Sequence, residues 1–383
     1  MMDKFPNRSW AEINLDILAE NMREIRRVTK RTAKIMAVVK ADAYGHGAYE
    51  VAKTLLDSGA AGLCLATMDE AVDLRRRGIT APMLTLGYTD KSRYADAVRY
   101  EIDQAVYSYD MVKALSDEAV AQDKTIRCHF KLDTGMGRIG FKSDGSDTDE
   151  IVRCCSLPGI VPYGVFSHFA VADTDDDVYT RQQYEDFMNE IESLEKKGVH
   201  FTKRHICNSA GIMRFPEMHL DLVRAGIILY GLMPPGCPEP PVKLDLKPVM
   251  TWYAKVIHVK RISKGDSVSY GRHFRAERET EVATVGIGYA DGLSRRLSNG
   301  FELVVDGVRC PIIGNVCMDM CMVDTTALAT RPKVGDKVMV FGKDRLADEL
   351  ADCIGTINYE ITCVVGKRVR RIYVKDGVPI QIT

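Results

Sequence analysis

An apolar, partly β-branched run, Ile35 to Val39, stops on Lys40, and the polar stretch ADAYGHG follows. A buried strand that delivers a lysine into a loop leaves its amine on a rigid edge with a half-desolvated head group. That lowers the cost of losing the proton and suits a Schiff base to an aldehyde. A strand-capping lysine that snorkels to water shows the same local pattern, so the rest of the chain decides. Other polar or ionisable residues stand where apolar runs end: Lys131 with Asp133, His168, Asn208 with Ser209, and Arg224. Each alone is an ordinary loop residue. Five such endings together read as chemistry gathered around one axis.

Further residues are weighed by their surroundings. Gly135, Gly137 and Gly140 in TGMGRIGF have a G-x-G-x-x-G spacing after a strand. A dinucleotide site needs a helix to open at once, and the turn-rich FKSDGSDTD follows instead. Glycines that let Arg138 approach an anionic ligand fit better, since arginine grips a carboxylate at two points. In LVRAGIILYG, Arg224 precedes Gly226 and Ile227, whose backbone with Ser209 can cradle a phosphate. A buried arginine paired to an acid is the alternative. His168 is a candidate relay beside Arg224 and Lys40. Later in the chain Tyr270 precedes a glycine in GDSVSYGRHF, Tyr289 stands in GIGYADG, and Met318 in GNVCMDM. Tyrosines in such loops serve packing unless a barrel site needs completing.

Those residues must be positioned by regular elements. Leu15, Leu18, Met22 and Ile25 recur at helical spacing after a short strand, WAEIN. Eight strand candidates follow, IMAVVK, GLCLAT, PMLTLGY, QAVYS, IRCHFKLD, IVPYGVFSH, RHICNS and LVRAGIILYG, with amphipathic segments between several of them. Eight strand-helix units match an α/β class N-terminal (β/α)8 TIM-like barrel, whose active groups sit at the strand ends. A doubly wound sheet usually has fewer strands and a phosphate loop after its first. The proline cluster in MPPGCPEPPVKLDLKP reads as a linker. Beyond it lie long alternating strands and one modest helical stretch near Leu346 to Ile354, a C-terminal mainly β domain. The expected division is residues 1–238 and 239–383.

At 383 residues two domains are the prior. A net charge of -1 argues against nucleic acid or an anionic membrane as main partner. No apolar run approaches the roughly 20 residues of a membrane span. The opening MMDKFPNRSW lacks the apolar segment of a secretory signal. Eleven cysteines, mostly inside apolar runs, suggest reduced thiols and a cytoplasmic protein. Neither Cys154–Cys155 nor Cys317 with Cys321 has zinc-ribbon spacing, and no metal is expected.

Taken together the sequence resembles the alanine racemase family over essentially its whole length. The motifs are AVVKADAYGHG, KLDTGMGRIGF, FSHFA, CNSAG, VRAGIILYG, SYGR, GYADG, CMD and GTINYE, in the family's order. The resemblance implies pyridoxal 5′-phosphate on Lys40, with Tyr44, Ser209, Gly226, Ile227 and Tyr359 at the phosphate and Arg224 facing the pyridine nitrogen. It implies Arg138 and the backbone near Met318 at the substrate carboxylate, Tyr289 lining the way in, and Tyr270 as the second base. It also implies a head-to-tail homodimer in which each site is completed by the other copy's β domain. Lys131 matches a family position whose amine is often carbamylated. The sequence departs from the family at Asn315, where many relatives carry a basic residue.

The implied chemistry is racemisation of alanine, which supplies D-alanine for peptidoglycan. Lys40 works on one face of the substrate Cα and Tyr270 on the other, because one group cannot reach both. A phenol is a poor base without neighbouring positive charge, and a chain through His168 to Arg224 can supply it. Arg224, a cation, disfavours a protonated pyridine nitrogen and so weakens the electron sink. Three other functions share the pattern. A racemase of another small amino acid such as serine differs by one oxygen in the pocket. A non-enzymatic pyridoxal phosphate carrier would lack the β domain and second base. A decarboxylase of basic amino acids would need an acidic pocket.

Overall fold

The computed structural model describes residues 8–383, and part of the opening segment read above for a leader lies outside the described residues. The described residues divide into two compact units, one of 19–43 and 48–246, the other of 8–18, 44–47 and 247–383.

The first unit is the barrel. Its eight parallel strands are Lys34–Val38, Gly62–Leu65, Met83–Thr85, Asp103–Val106, Ile126–Asp133, Ile160–Phe166, Lys203–His205 and Leu222–Ala225. The first seven pair each with the next, and Leu222–Ala225 pairs back to Lys34–Val38. The remaining seam carries two backbone bonds, Asp221 N to Arg204 O and Arg224 N to Cys207 O, both 3.1 Å. The ring is thus nearly closed, and all eight strands are those expected from the apolar runs. Their near-continuous burial, complete in Gly62–Leu65 and Asp103–Val106, reflects helices covering one face and barrel interior the other.

Local chemistry sets the helix starts. Thr67 and Glu70 form a capping box ahead of Met68–Arg76. Asp176 caps Asp177–Lys196, and Gly198 with φ 84° takes the left-handed position beyond its end. Leu15, Leu18, Met22 and Ile25 are all buried, as their spacing requires. No helix follows Gly140 directly. A two-residue strand and bends lead to a helix at Thr148–Cys155, so the dinucleotide fingerprint has no structural counterpart.

The second unit is mainly β. Met250–Ile262 is its spine, pairing antiparallel with Ser9–Asn14, Lys337–Phe341 and Thr280–Val285. A register shift between Val256 and His258 bends it, so its two halves serve different partners. Ser9–Asn14 also pairs parallel with Arg370–Lys375. The chain's first described strand therefore belongs to the sheet built by its last third. A helix not expected from the sequence, Asn358–Cys363, follows Ala347–Ile354.

Candidate active site

In the barrel unit Lys40, two residues beyond Lys34–Val38, opens an unusual turn. Ala41, Asp42 and Ala43 have φ 52–54° and ψ 47–51°, and Tyr44 continues at φ 53°. Four consecutive L-residues in the left-handed region cost about 1–2 kcal/mol each, so the run persists only because its surroundings hold it. Glu70 is one such hold. Its Oε1 accepts from Ala41 N at 2.6 Å, while its Oε2 accepts from Ala66 N at 2.9 Å. Asp42 Oδ1 accepts from Ala48 N at 2.7 Å. Before the turn, Tyr230 Oη donates to Val38 O at 2.9 Å. Lys40 thus leaves a buried strand on a braced backbone.

Arg224 lies inside the same barrel, 3% exposed. Its Nη1 donates to His205 Nδ1 at 2.7 Å, and its Nη2 reaches Ser167 O at 2.7 Å, Ile206 O at 3.0 Å and His168 Nδ1 at 3.1 Å. Its hydrogen-bond partners are two imidazoles and two carbonyls, with no carboxylate among the described residues. The alternative of an arginine paired to an acid is excluded. Burial brings its pKa down to about 10, which leaves it a cation at neutral pH.

The surroundings are strongly positive. His168 is held well below its ordinary range by burial, then by Arg224, Arg138, Lys131 and Lys40. Burial also holds His205 well down, with Arg224 next. Lys131, 2% exposed, is pushed down to about 7 by burial, then Arg224, against a smaller opposing pull from Asp133. Four basic side chains around one neutral imidazole suit a ligand with a phosphate and a carboxylate. Arg138 itself is exposed, on a loop whose Gly135, Gly137 and Gly140 all have positive φ. Ser209 Oγ accepts from Gly226 N at 3.1 Å, and the 3-10 segment Ile227–Tyr230 opens there, its first N–H groups without acceptors inside the segment. These residues fit a phosphorylated pyridine aldehyde: an amine, a phosphate cradle and a buried arginine that can face a ring nitrogen.

The β unit carries the remaining candidates. Tyr44 and Tyr359 stand with ring centroids 6.0 Å apart. The loop beside Tyr44 fits tightly, since a Cβ on Gly45 would lie 2.1 Å from Thr362 O, and Arg371 Nε donates to Gly45 O at 3.0 Å. Tyr289 N donates to Cys317 O, and Ala290 N to Met318 O, both at 3.0 Å. These two bonds tie the GYADG and CMD motifs together. Gly288 is required there, as its Cβ would sit 2.3 Å from Cys317 O. Tyr270, Met318 and Tyr289 are 73%, 53% and 44% exposed.

Sequence reasoning missed His129, His205 and Glu70. His129 stands two residues before Lys131 on one strand, the spacing that puts both on one face, and that was the available signal.

Residues 13–234 match the family model described as alanine racemase, N-terminal domain, and residues 249–373 match alanine racemase, C-terminal domain. The chain is 45% identical over 373 residues to an alanine racemase of Clostridium tetani, covering 96% of each chain. It is 45% identical over 377 residues to alanine racemase 1 of Clostridium acetobutylicum, covering 97% of each. Among solved structures, an alanine racemase of Clostridium difficile 630 superposes with a TM-score of 0.96 at 37% identity, covering 99% of both chains. One from Bacillus anthracis with bound L-Ala-P gives 0.91 at 36%, covering 99% of this chain and 98% of that one.

Proposed function

This chain belongs to the alanine racemase family, and on that premise we propose that it interconverts L-alanine and D-alanine with pyridoxal 5′-phosphate at the barrel mouth. The observation that carries this reading is Arg224, a buried cation hydrogen-bonded to His168 and His205 and to no carboxylate. Under this reading Lys40 holds the aldehyde carbon. Tyr44, Ser209, Gly226, Ile227 and Tyr359 hold the phosphate, and Arg224 faces the pyridine nitrogen. When bound, the cofactor supplies a conjugated sink for charge left on the substrate Cα.

The chain's own residues then divide the work. Arg138 and the backbone at Met318 hold the substrate carboxylate, and Tyr289 lines the way in. The Lys40 amine and the Tyr270 phenol stand on opposite faces of the Cα, one removing a proton while the other returns one. His168, neutral and bonded to the Arg224 guanidinium, links the phenol to positive charge. With the cofactor bound, Arg224 would donate at the pyridine nitrogen, which would disfavour a proton there and weaken the sink.

Tyr270, Tyr289 and Met318 are exposed in the β unit, which supports a head-to-tail homodimer in which residues 239–383 of one copy complete the site of the other. All eleven cysteines are free, which supports a cytoplasmic enzyme supplying D-alanine to peptidoglycan. The test is purification, a visible absorbance scan and an L-alanine to D-alanine assay of wild type and Tyr270→Phe. A coloured protein whose turnover collapses in the variant while its colour stays supports the reading. A coloured protein inert on alanine refutes it.

A further inference from the structure

Tyr270 sits on strained backbone. Ser269, Gly271 and Arg272 have φ of 67°, 73° and 52°. The flanking pairs Ser267 with Arg275 and Val268 with Phe274 make a short antiparallel ladder. Beneath it Val268, Ala276 and Ile313 join one apolar cluster, with Cys317 packed against it. The Tyr270 ring is 73% exposed, so packing within its own chain does not aim it.

Asn315 holds its backbone instead. Asn315 Nδ2 donates to Tyr270 O at 2.7 Å, and Ser269 Oγ donates to Asn315 O at 2.7 Å. Each loop's side chain thus grips the other loop's carbonyl. Because the Tyr270 carbonyl can only accept, the amide must present its nitrogen, which fixes the Asn315 orientation. Asn315 is 8% exposed, and the loops touch next to it, where a Cβ on Gly314 would lie 2.7 Å from Val268 O.

We propose that Asn315 is a positioning residue for Tyr270, fixing the peptide from which the phenol reaches the substrate Cα. The inference rests on the reading of Tyr270 as the second acid/base. A backbone swing of roughly ten degrees carries a phenol oxygen roughly 1 Å, and a misplacement of that size costs about 10²-fold in rate. Aspartate at 315 keeps the shape but turns a carboxylate toward the Tyr270 carbonyl, so the brace becomes a repulsion.

The experiment compares holoenzymes of wild type, Asn315→Asp, Ser269→Ala and Tyr270→Phe. It measures kcat and KM in both directions, primary isotope effects with L- and D-alanine deuterated at Cα, the cofactor's visible band, and thermal unfolding. In Asn315→Asp, kcat is expected to fall about ten- to a hundred-fold with KM and the band nearly unchanged. The isotope effect rises for the enantiomer whose Cα hydrogen faces Tyr270 and falls for the other. Ser269→Ala, which removes the reciprocal bond and a 3.4 Å contact with Cys317 Sγ but leaves the Asn315 amide on the Tyr270 carbonyl, gives the same split at smaller size. Equal changes for both enantiomers, or loss of rate in proportion to loss of folded protein, would reduce Asn315 to a structural role and overturn the inference. Wild-type kinetics in Asn315→Asp beside an inactive Tyr270→Phe would overturn it and leave the proposed function standing. An active Tyr270→Phe would overturn both.

Discussion

Arg224 Nη1 donates to His205 Nδ1 across 2.7 Å, and His205 Nε2 lies 2.9 Å from His129 Nδ1. A guanidinium only donates, so His205 Nδ1 must accept and its proton sits on Nε2, facing His129. His129 Nδ1 accepts in turn, which places its own proton on Nε2, 3.6 Å from Asp103 Oδ2. One tautomer pattern therefore runs from a buried cation toward a buried carboxylate through two neutral rings. It holds Arg224 in orientation without an acid beside it.

His205→Leu removes the acceptor and leaves a buried N–H of Arg224 without a partner. Its expected cost is about 1–3 kcal/mol in unfolding free energy. His205→Gln, which retains an acceptor, should recover most of that. Denaturant unfolding of both variants beside wild type checks the claim. Equal losses would instead place the cost in lost stacking on Phe166, whose ring lies 4.9 Å from that of His205.

Lys131 gives stability a pH dependence of definite sign. Burial holds its folded pKa down to about 7, whereas an unfolded lysine titrates near about 10.4. Below about pH 7 both states are protonated and the folded state carries the full cost of a buried ammonium. Between about 7 and about 10 the unfolded chain binds more protons, so stability rises with pH, and above that window the cost is gone. Lys131→Met should therefore stabilise the apoprotein by roughly a few kcal/mol at about pH 6, with the gain closing toward about pH 10. Chemical denaturation across that range is the measurement. A gain that does not change with pH would refute the assignment.

The left-handed turn after Lys40 is a store of strain with a visible restraint. Glycine at the exposed Ala41 relieves one residue's share, and Ala41→Gly should stabilise the fold by about 1 kcal/mol after the entropy glycine loses. Glu70→Ala should cost about 1–2 kcal/mol, since it removes a cap and the acceptor of Ala41 N together. Hydrogen exchange at the Ala41 amide separates the two losses. If that amide keeps its protection in Glu70→Ala, the carboxylate caps the helix and does not brace the turn.

The candidate site was legible in the sequence where chemistry depends on residue type at a strand end. Lys40, Lys131, His168 and Arg224 all follow or end apolar runs, and the run-and-turn punctuation that marked them is local. His205 and His129 were not legible. His129 stands inside its strand and His205 closes its short one, neither distinguishable from a core histidine, and only the ring of strands brings them to 2.9 Å. Asn315 was noticed only as a departure in charge. Its grip on Tyr270 spans 45 positions of sequence, which no pattern reports.

By itself the sequence determined the eight barrel strands and the major helices. Those depend on hydrophobic period and on turn chemistry within a few residues. Tertiary structure alone decided that Ser9–Asn14 joins strands more than 200 residues away, because an edge pairs with whatever complementary edge folding brings to it. It also decided that Ala41 to Tyr44 turn left-handed. Local propensity opposes that conformation, and long-range contacts such as the Glu70 bond to Ala41 hold it in place.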